Sequence, residues 1–397
     1  MTYLATTITH ISRMDTLGGI ERLLQAFVNV PDAALAHALF LTGQKIHPAL
    51  RPVDSSIPIR YSRYAAGLYL FKPLRRLHQN HALERLHPDV ISFWGYPTTN
   101  HDQMHFPADA KLIYQEHGSC WDMEITQRRK DFLNRMDGIT CCSHAAKRVL
   151  ELRWGCTTRM TIVRNPVSPH ALAANVAPKT LPSNRPLILG TAGRLVPYKA
   201  TVLALFTLKN LVKAGIDCHL RIAGTGALLQ PIRKKATELD IERRVQFVGA
   251  VTDMPSFYNG IDIFILPSIR EPLGLVAVEA MASGCPVIAT AVDGIPEAVI
   301  DGKTGFCIQP EVTIQEFEQL AGTEFGAKLP ETVYDPRTDQ LHPPLAPDPL
   351  KLSQAIQHLI KNSAIYTTMS QATIETARMD FSFKTYKNTL TAALLQP

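Results

Sequence analysis

Residues 261–279 read Ile261-Asp-Ile-Phe-Ile-Leu266, then Pro267-Ser-Ile-Arg-Glu271-Pro-Leu-Gly274, then Leu275-Val-Ala-Val-Glu279. The first run is short and apolar, the length of a buried parallel strand. A turn on Pro and Gly follows, and the apolar stripe Leu275, Val276 and Val278 then opens a helix. Strand, turn and helix in that order form the unit of a doubly wound sheet, whose ligands gather beyond the carboxyl ends of the strands. A Pro at a helix start forfeits no hydrogen bond, because the first amides have no partner anyway. Those amides and the helix dipole attract anions. Glu271 stands in the turn, and Glu279 lies about two helical turns further on. Two carboxylates flanking an amide-lined end suit a ligand with a phosphate in the middle and hydroxyls at both ends. A sugar nucleotide has that shape.

The same alternation extends outward. In the C-terminal half, strands are predicted at Leu187–Leu189, His219–Ala223, Val245–Val248, Ile261–Leu266 and Pro286–Ala289. Helical patterns at 201–213, 227–239, 253–260 and 275–283 lie between them. The N-terminal half is less regular, with strands predicted at Leu4–Thr9, Ala36–Thr42, Val90–Trp94, Leu112–Gln115, Gly138–Cys142 and Met160–Val163. With 397 residues, two domains are the default. The boundaries predicted are 1–174, a polar, Pro-rich linker at 175–186, and 187–380, with a last amphipathic helix at 384–395. Residues 311–349 break the rhythm with six prolines and read as a rim insertion, helical only at Ile314–Leu320; a loop this long is usually functional or disordered. A helical pattern resumes at Leu350–Ile360.

Composition bounds the function. Hydrophobic residues make up 46% of the chain, and no stretch is apolar for the length of a membrane span. The first ten residues have no basic end followed by an apolar core, so no secretory leader is expected. The seven cysteines form no C-x-x-C pair and mostly sit in apolar runs, which suits a reducing cytoplasm and disfavours zinc. The net charge of +6 lies wholly in residues 1–165, which hold 20 Lys+Arg against 14 Asp+Glu. Within residues 60–85, six basic residues face Glu84 alone, interleaved with Tyr61, Tyr64, Tyr69, Leu70 and Phe71. As a helix, limited by Pro73, this stretch would set aromatic anchors beside cations, either as contact to an anionic membrane surface or as a solvated face over a core stripe. Nucleic acid is not an expected partner: the excess charge is mild and no nucleic-acid-binding signature appears.

Four clusters bear on the ligand. Gly193-Arg194-Leu-Val-Pro-Tyr-Lys199 follows the first strand of the second half and brings two unlike cations to its end. Arg suits bidentate phosphate contact and Lys supplies a compact point charge. Gly224-Thr-Gly226 either approaches the ligand or only makes a turn. The Glu271/Glu279 element is the third, with the small-residue run Ala282-Ser-Gly-Cys-Pro286 behind it. Gly18-Gly19 is a flexible entry into a helix after the first strand. In the same half, His117 follows a predicted strand, either as a structural residue or facing a ligand.

These residues resemble glycosyltransferase family 4, the retaining nucleotide-sugar transferases of the GT-B fold. The resemblance is strong over about 187–310, in the G-R-(x)-K segment, the E-x7-E element and the turn Val292-Asp-Gly-Ile-Pro-Glu297. It extends to Gly18-Gly19, His117, Cys142-Ser-His-Ala-Ala-Lys147 and Asn165-Pro-Val167. It implies an α/β fold of two Rossmann-like domains facing across a cleft. The acceptor domain would be N-terminal and the donor domain C-terminal, with a last helix at about 381–397 crossing back. By matching position, Arg194 and Lys199 would hold the donor diphosphate, Glu279 the ribose hydroxyls and Glu271 the transferred sugar. The backbone of Gly193, Gly224 and Gly226 and the amides of Leu273, Gly274 and Leu275 would lie nearby. Gly18 and Gly19 would close over the phosphate, and His117 would face the reacting sugar. Two departures stand out: Asp293 occupies a position where the family usually has Gly, which bears on donor fit, and 311–349 has no family counterpart.

The resemblance predicts a hexosyltransferase using a UDP- or GDP-sugar and a glycan or lipid-linked glycan acceptor. Such an enzyme would serve bacterial envelope polysaccharide or lipopolysaccharide synthesis, in the cytoplasm or at the inner-leaflet membrane surface through residues 60–85. The chain has no D-x-D. Arg194, Lys199 and the helix start could balance the leaving group's charge in place of a metal, so no metal and no further cofactor is expected. Two competing readings are weaker. An oxidoreductase would need G-x-G-x-x-G, but residue 229 is Leu. A catalytically silent glycan- or membrane-binding relative sits poorly with intact Arg194, Lys199, Glu271 and Glu279.

Overall fold

The computed structural model describes residues 5–51, 53–65, 68–95, 104–173 and 176–396. The chain forms two compact units. The first comprises residues 1–142, 150–163 and 387–397, and the second 143–149 and 164–386.

The first unit is built on a seven-stranded parallel sheet. Its spatial order is Ile59–Tyr61, Leu35–Leu41, Thr6–Ser12, Val90–Trp94, Lys111–Glu116, Gly138–Cys141 and Met160–Ile162. Val90–Trp94 is buried at every position, as a strand covered on both faces must be. The edge strand Ile59–Tyr61 was not legible beforehand: with three residues it shows too little periodicity.

The second unit is a six-stranded parallel sheet in the order Val245–Gly249, Cys218–Ala223, Leu187–Ala192, Ile263–Leu266, Val287–Thr290 and Gly305–Ile308. Helices Val202–Lys213 and Pro349–Lys361 contribute Leu205, Leu208, Leu352 and Ile356 to one buried cluster. Helix Leu275–Ala282 supplies Ala277, Val278 and Met281 to another. This arrangement is a pair of α/β units on parallel sheets, as the alternation predicts. The 18-residue helix Ser363–Asp380, absent from the sequence reading, is threonine- and serine-rich, and its buried face includes Ser370, Thr373 and Thr376.

Three expectations differ from the structure. The long stretch of the second unit starts at residue 164, ahead of the Pro-rich 175–186 stretch, and helix Pro169–Ala173 packs there against helices Met254–Asn259 and Leu275–Ala282. Residues 60–85 are not one helix. A small hairpin pairs Tyr64–Ala65 with Leu68–Tyr69, and Pro73 starts the helix Lys72–Glu84 rather than interrupting it. The 311–349 segment is ordered. Its flanks pair as antiparallel strands Pro310–Thr313 and Leu345–Pro347. A reciprocal Thr313/Glu316 cap starts helix Ile314–Ala321, which buries Phe317, and Phe325 is buried in the same cluster. Strands Val333–Asp335 and Gln340–His342 then form a hairpin. Among the described residues no helix is long and apolar enough to cross a membrane, and the seven cysteines form no disulfide.

Candidate functional site

In the second unit, the sequence-predicted residues converge beyond the carboxyl ends of the strands. Strand Leu187–Ala192 ends at Gly193, where φ is +144°, and a short 3-10 turn at Pro197–Lys199 follows. The Tyr198 carbonyl accepts from the amides of Ile269 (2.8 Å) and Arg270 (3.3 Å), which stitches this turn to the segment after strand Ile263–Leu266. The stitch brings Lys199 onto the carboxylate of Glu271, and the two form an ion pair that is largely shielded from solvent. Both belong to the predicted set, but their direct pairing was not foreseen.

Tyr198 is a shared platform. Its hydroxyl lies 2.7 Å from an Arg194 guanidinium nitrogen, which donates to it. The Arg270 guanidinium lies 5.2 Å from its ring centre, and the Lys199 ammonium 5.7 Å. Three cations therefore surround one aromatic ring at a strand end, a focus of positive potential suited to a polyanion. Tyr198 and Arg270 were missed by sequence reasoning. Both flank recognised positions, so proximity in sequence was the available signal.

Gly224 and Gly226 resolve as the close approach of two turns. A Cβ on Gly224 would lie 1.8 Å from the Gly193 carbonyl oxygen, and one on Gly226 would lie 2.3 Å from that of Leu195. The Leu195 amide donates to the Thr225 carbonyl at 2.9 Å, which holds the Gly-x-Gly loop against the Arg194 loop.

Helix Leu275–Ala282 starts at Leu275, where the apolar stripe predicts it. Gly274, at φ +89°, is its N-cap, and Pro272 stays in the preceding turn. No side chain caps this helix start, and Leu273 and Gly274 are buried beside it. Glu279 accepts from the Tyr258 hydroxyl at 2.8 Å. Burial raises the Glu279 pKa above the ordinary carboxylate value, and the Tyr258 hydrogen bond partly offsets that. The residue is nonetheless partly accessible.

Asp293 is fully buried, with φ +49°. Its carboxylate accepts from the Glu271 amide at 2.9 Å and the Tyr334 amide at 2.8 Å. Next to it, Gly294 lies so close to Pro272 that a Cβ would fall 1.9 Å from the Pro272 carbonyl oxygen.

The first unit holds the remaining predicted residues. Gly18 is the N-cap of helix Gly19–Asn29, and a Cβ there would lie 2.4 Å from a Glu21 carboxylate oxygen. His117 follows strand Lys111–Glu116 and stacks on Trp94 with ring centres 5.7 Å apart. The Trp94 indole donates to His10 Nδ1 at 3.0 Å, and His10 Nε2 lies 3.1 Å from His37 Nδ1. Burial, and then the His37 charge, push the His10 pKa well below its ordinary value; burial lowers that of His37 to about 4. The two imidazoles lie in an aromatic cluster that sequence periodicity did not reveal.

Two family descriptions match the chain: Glycosyltransferase Family 4 over residues 18–171 and Glycosyl transferases group 1 over residues 175–321. The lipopolysaccharide core biosynthesis glycosyltransferase LpsE of Rhizobium meliloti is 27% identical over 297 residues, which is 73% of this chain and 81% of that protein. The D-inositol 3-phosphate glycosyltransferase of Corynebacterium glutamicum is 35% identical, but over only 30% of this chain and 31% of its own length. Among solved structures, Anabaena HepE in complex with UDP and glucose superposes with a TM-score of 0.68. That match covers 98% of this chain and 99% of the other at 18% identity, a likeness of fold.

Proposed function

The chain belongs to glycosyltransferase family 4 and is a transferase of GT-B type, and we propose that it is a retaining, metal-independent hexosyltransferase. The donor is a UDP- or GDP-sugar and the acceptor a glycan or lipid-linked glycan of the bacterial envelope. The observation that carries this reading is the Lys199–Glu271 pair, with Arg194 and Arg270 grouped around Tyr198 beside the uncapped start of helix Leu275–Ala282. Cations and helix amides suit a diphosphate, and carboxylates suit the hydroxyls on either side of it. The lipopolysaccharide core biosynthesis of LpsE supports an envelope acceptor, and the UDP and glucose in HepE make UDP-glucose the first donor to test.

In the reaction, the bond between the sugar's anomeric carbon and the phosphate oxygen breaks, and its electron pair stays on the diphosphate. The acceptor oxygen bonds to the same face of that carbon, and its proton passes to the departing phosphate oxygen. Negative charge grows on the diphosphate, where Arg194, Lys199 and the helix amides stabilise it without a metal. Donor binding gives Lys199 a phosphate partner and frees Glu271 for the transferred sugar. Glu279 holds the ribose hydroxyls, with its Tyr258 bond fixing the carboxylate. By motif position in the resemblance, His117 is assigned to the sugar and Gly18-Gly19 to phosphate.

The cytoplasmic face of the inner membrane is the proposed location. Leu68, Tyr69, Phe71 and Leu77 are each at least 60% exposed, close in sequence to Arg60, Arg75, Arg76 and Arg85.

A thermal-shift panel of UDP, GDP, ADP and their sugars tests the donor assignment. A ligand at a hundred times its Kd adds about 2.7 kcal/mol of stability. A uridine or guanosine diphosphate should therefore stand out, and no shift with any nucleotide would overturn the reading. Retention is checked by the anomeric coupling in the NMR spectrum of the first product.

A further inference from the structure

Asp293 joins two segments that sequence analysis treated separately: the Glu271 turn and the 311–349 insertion. Four backbone or side-chain links meet at residues 293 and 294. The Asp293 carboxylate accepts from the Glu271 amide (2.9 Å) with one oxygen and from the Tyr334 amide (2.8 Å) with the other. The Asp293 amide donates to the Tyr334 carbonyl at 2.9 Å, and the Gly294 amide donates to the Glu271 carbonyl at 3.2 Å. Residues 293–294 are thus bonded to Glu271 on one side and to the hairpin Val333–His342 on the other.

The backbone conformation shows how firmly this arrangement is held. A left-handed φ of +49° at a residue with a side chain is unfavourable and persists only where the surroundings over-determine it. Asp293, Val333 and Tyr334 are all buried, so each amide here needs a protein partner. A charged acceptor shared by two buried amides makes stronger bonds than a carbonyl would, and it fixes both segments at once.

We propose that Asp293 is the positioning residue for Glu271, and that the Val333–His342 hairpin is a structural part of the donor site rather than a rim decoration. Asp293 touches no substrate in this role. It sets where the Glu271 backbone lies, and so where the Glu271 carboxylate meets Lys199 and, in turn, the transferred sugar. The proposal rests on Glu271 being the sugar-side carboxylate, as argued above.

Asp293→Asn and Asp293→Gly test it. Asn keeps the size and tolerance of a left-handed backbone, but one of its two arms can no longer accept. Gly suits the φ and removes both side-chain bonds, so it guards against a variant that merely fails to fold. The expected result has three parts. In donor hydrolysis or transfer, kcat falls about tenfold or more in both variants. Binding of UDP or GDP, measured by calorimetry, stays within about twofold, because the nucleotide contacts are untouched. A crystal structure of either variant shows the Glu271 carboxylate displaced from Lys199. Glu271→Ala should also cost much less in the Asp293→Gly background than in the natural sequence. Equal costs in the two backgrounds, or a lowered Tm with kcat and the Glu271–Lys199 pair intact, overturn the positioning role. Full activity in Glu271→Ala alone overturns the reading of Glu271 itself, a separate outcome.

Discussion

The Tyr258 hydroxyl donates to the Glu279 carboxylate across 2.8 Å, from helix Met254–Asn259 to helix Leu275–Ala282. Burial raises the Glu279 pKa, and the Tyr258 bond restrains that rise. A carboxylate whose folded pKa is raised binds more protons folded than unfolded. Its contribution to stability is then fully present below the unfolded pKa and is lost as pH climbs through the raised folded value. Glu279→Gln should remove that loss and be more thermostable than the natural protein at neutral pH. It should weaken donor binding by about 1.5–3 kcal/mol, some ten- to a hundredfold. Tyr258→Phe should move the stability loss to higher pH. Melting curves from about pH 4 to about pH 8 check both, and parallel curves for Glu279→Gln and the natural protein would sink the assignment.

Lys199 and Arg194 separate activity from stability. Lys199 is partnered with a buried Glu271, so Lys199→Ala leaves a carboxylate without its counter-charge. Arg194 is exposed, so Arg194→Ala should leave Tm nearly unchanged. Both should lower kcat, by about a hundred- to a thousandfold if each is a preorganised leaving-group contact. Steady-state kinetics beside thermal unfolding reads the difference, and undiminished kcat/KM in either variant would exclude that residue from the chemistry.

Gly224→Ala should be severe and Gly249→Ala mild. The Gly224 Cβ would strike the Gly193 carbonyl at 1.8 Å, whereas Gly249, at φ +78°, has nothing within 4 Å of its own Cβ position. The first change carries overpacking as well as backbone strain, together about 2–5 kcal/mol; the second carries only strain, about 1 kcal/mol. At roughly 2–4 °C per kcal/mol, the two variants should differ in Tm by several degrees. Equal melting temperatures would refute the close approach of the two loops.

Residues 68–77 make the membrane proposal testable. Leu68→Ser, Phe71→Ser and Leu77→Ser together should abolish co-sedimentation with vesicles of anionic lipid while leaving Tm unchanged, since these side chains are exposed. Binding by the natural protein should weaken with salt, as each basic residue near the surface contributes about 1 kcal/mol. Retention of the triple variant on the vesicles would dismiss this patch as the contact.

Added EDTA should leave the transfer rate unchanged if Arg194, Lys199 and the helix amides stabilise the leaving diphosphate. A loss of about tenfold or more, restored by a divalent cation, would require a metal and reject that part of the mechanism.

Sequence by itself determined the alternation of strands and helices, the strand-end placement of Arg194, Lys199 and Glu271, and the helix carrying Glu279. Those features are local: apolar periodicity sets the element, and Gly and Pro set the turn. It placed the helix at Ile314–Leu320 but read the rest of 311–349 as loop, because proline content hides the hairpin Val333–His342 and the buried Phe325. It did not resolve whether Gly224-Thr-Gly226 meets a ligand or another turn, since that depends on the Gly193 carbonyl opposite. Only tertiary structure decided the pairings that shape the site: Lys199 with Glu271, 72 residues apart; Tyr258 with Glu279, 21 apart; Asp293 with Glu271 and Tyr334, 22 and 41 apart. No local pattern encodes such partners. Burial removes water as the alternative partner for each amide and charge, so the packed chain, rather than the neighbouring residues, selects which groups must meet.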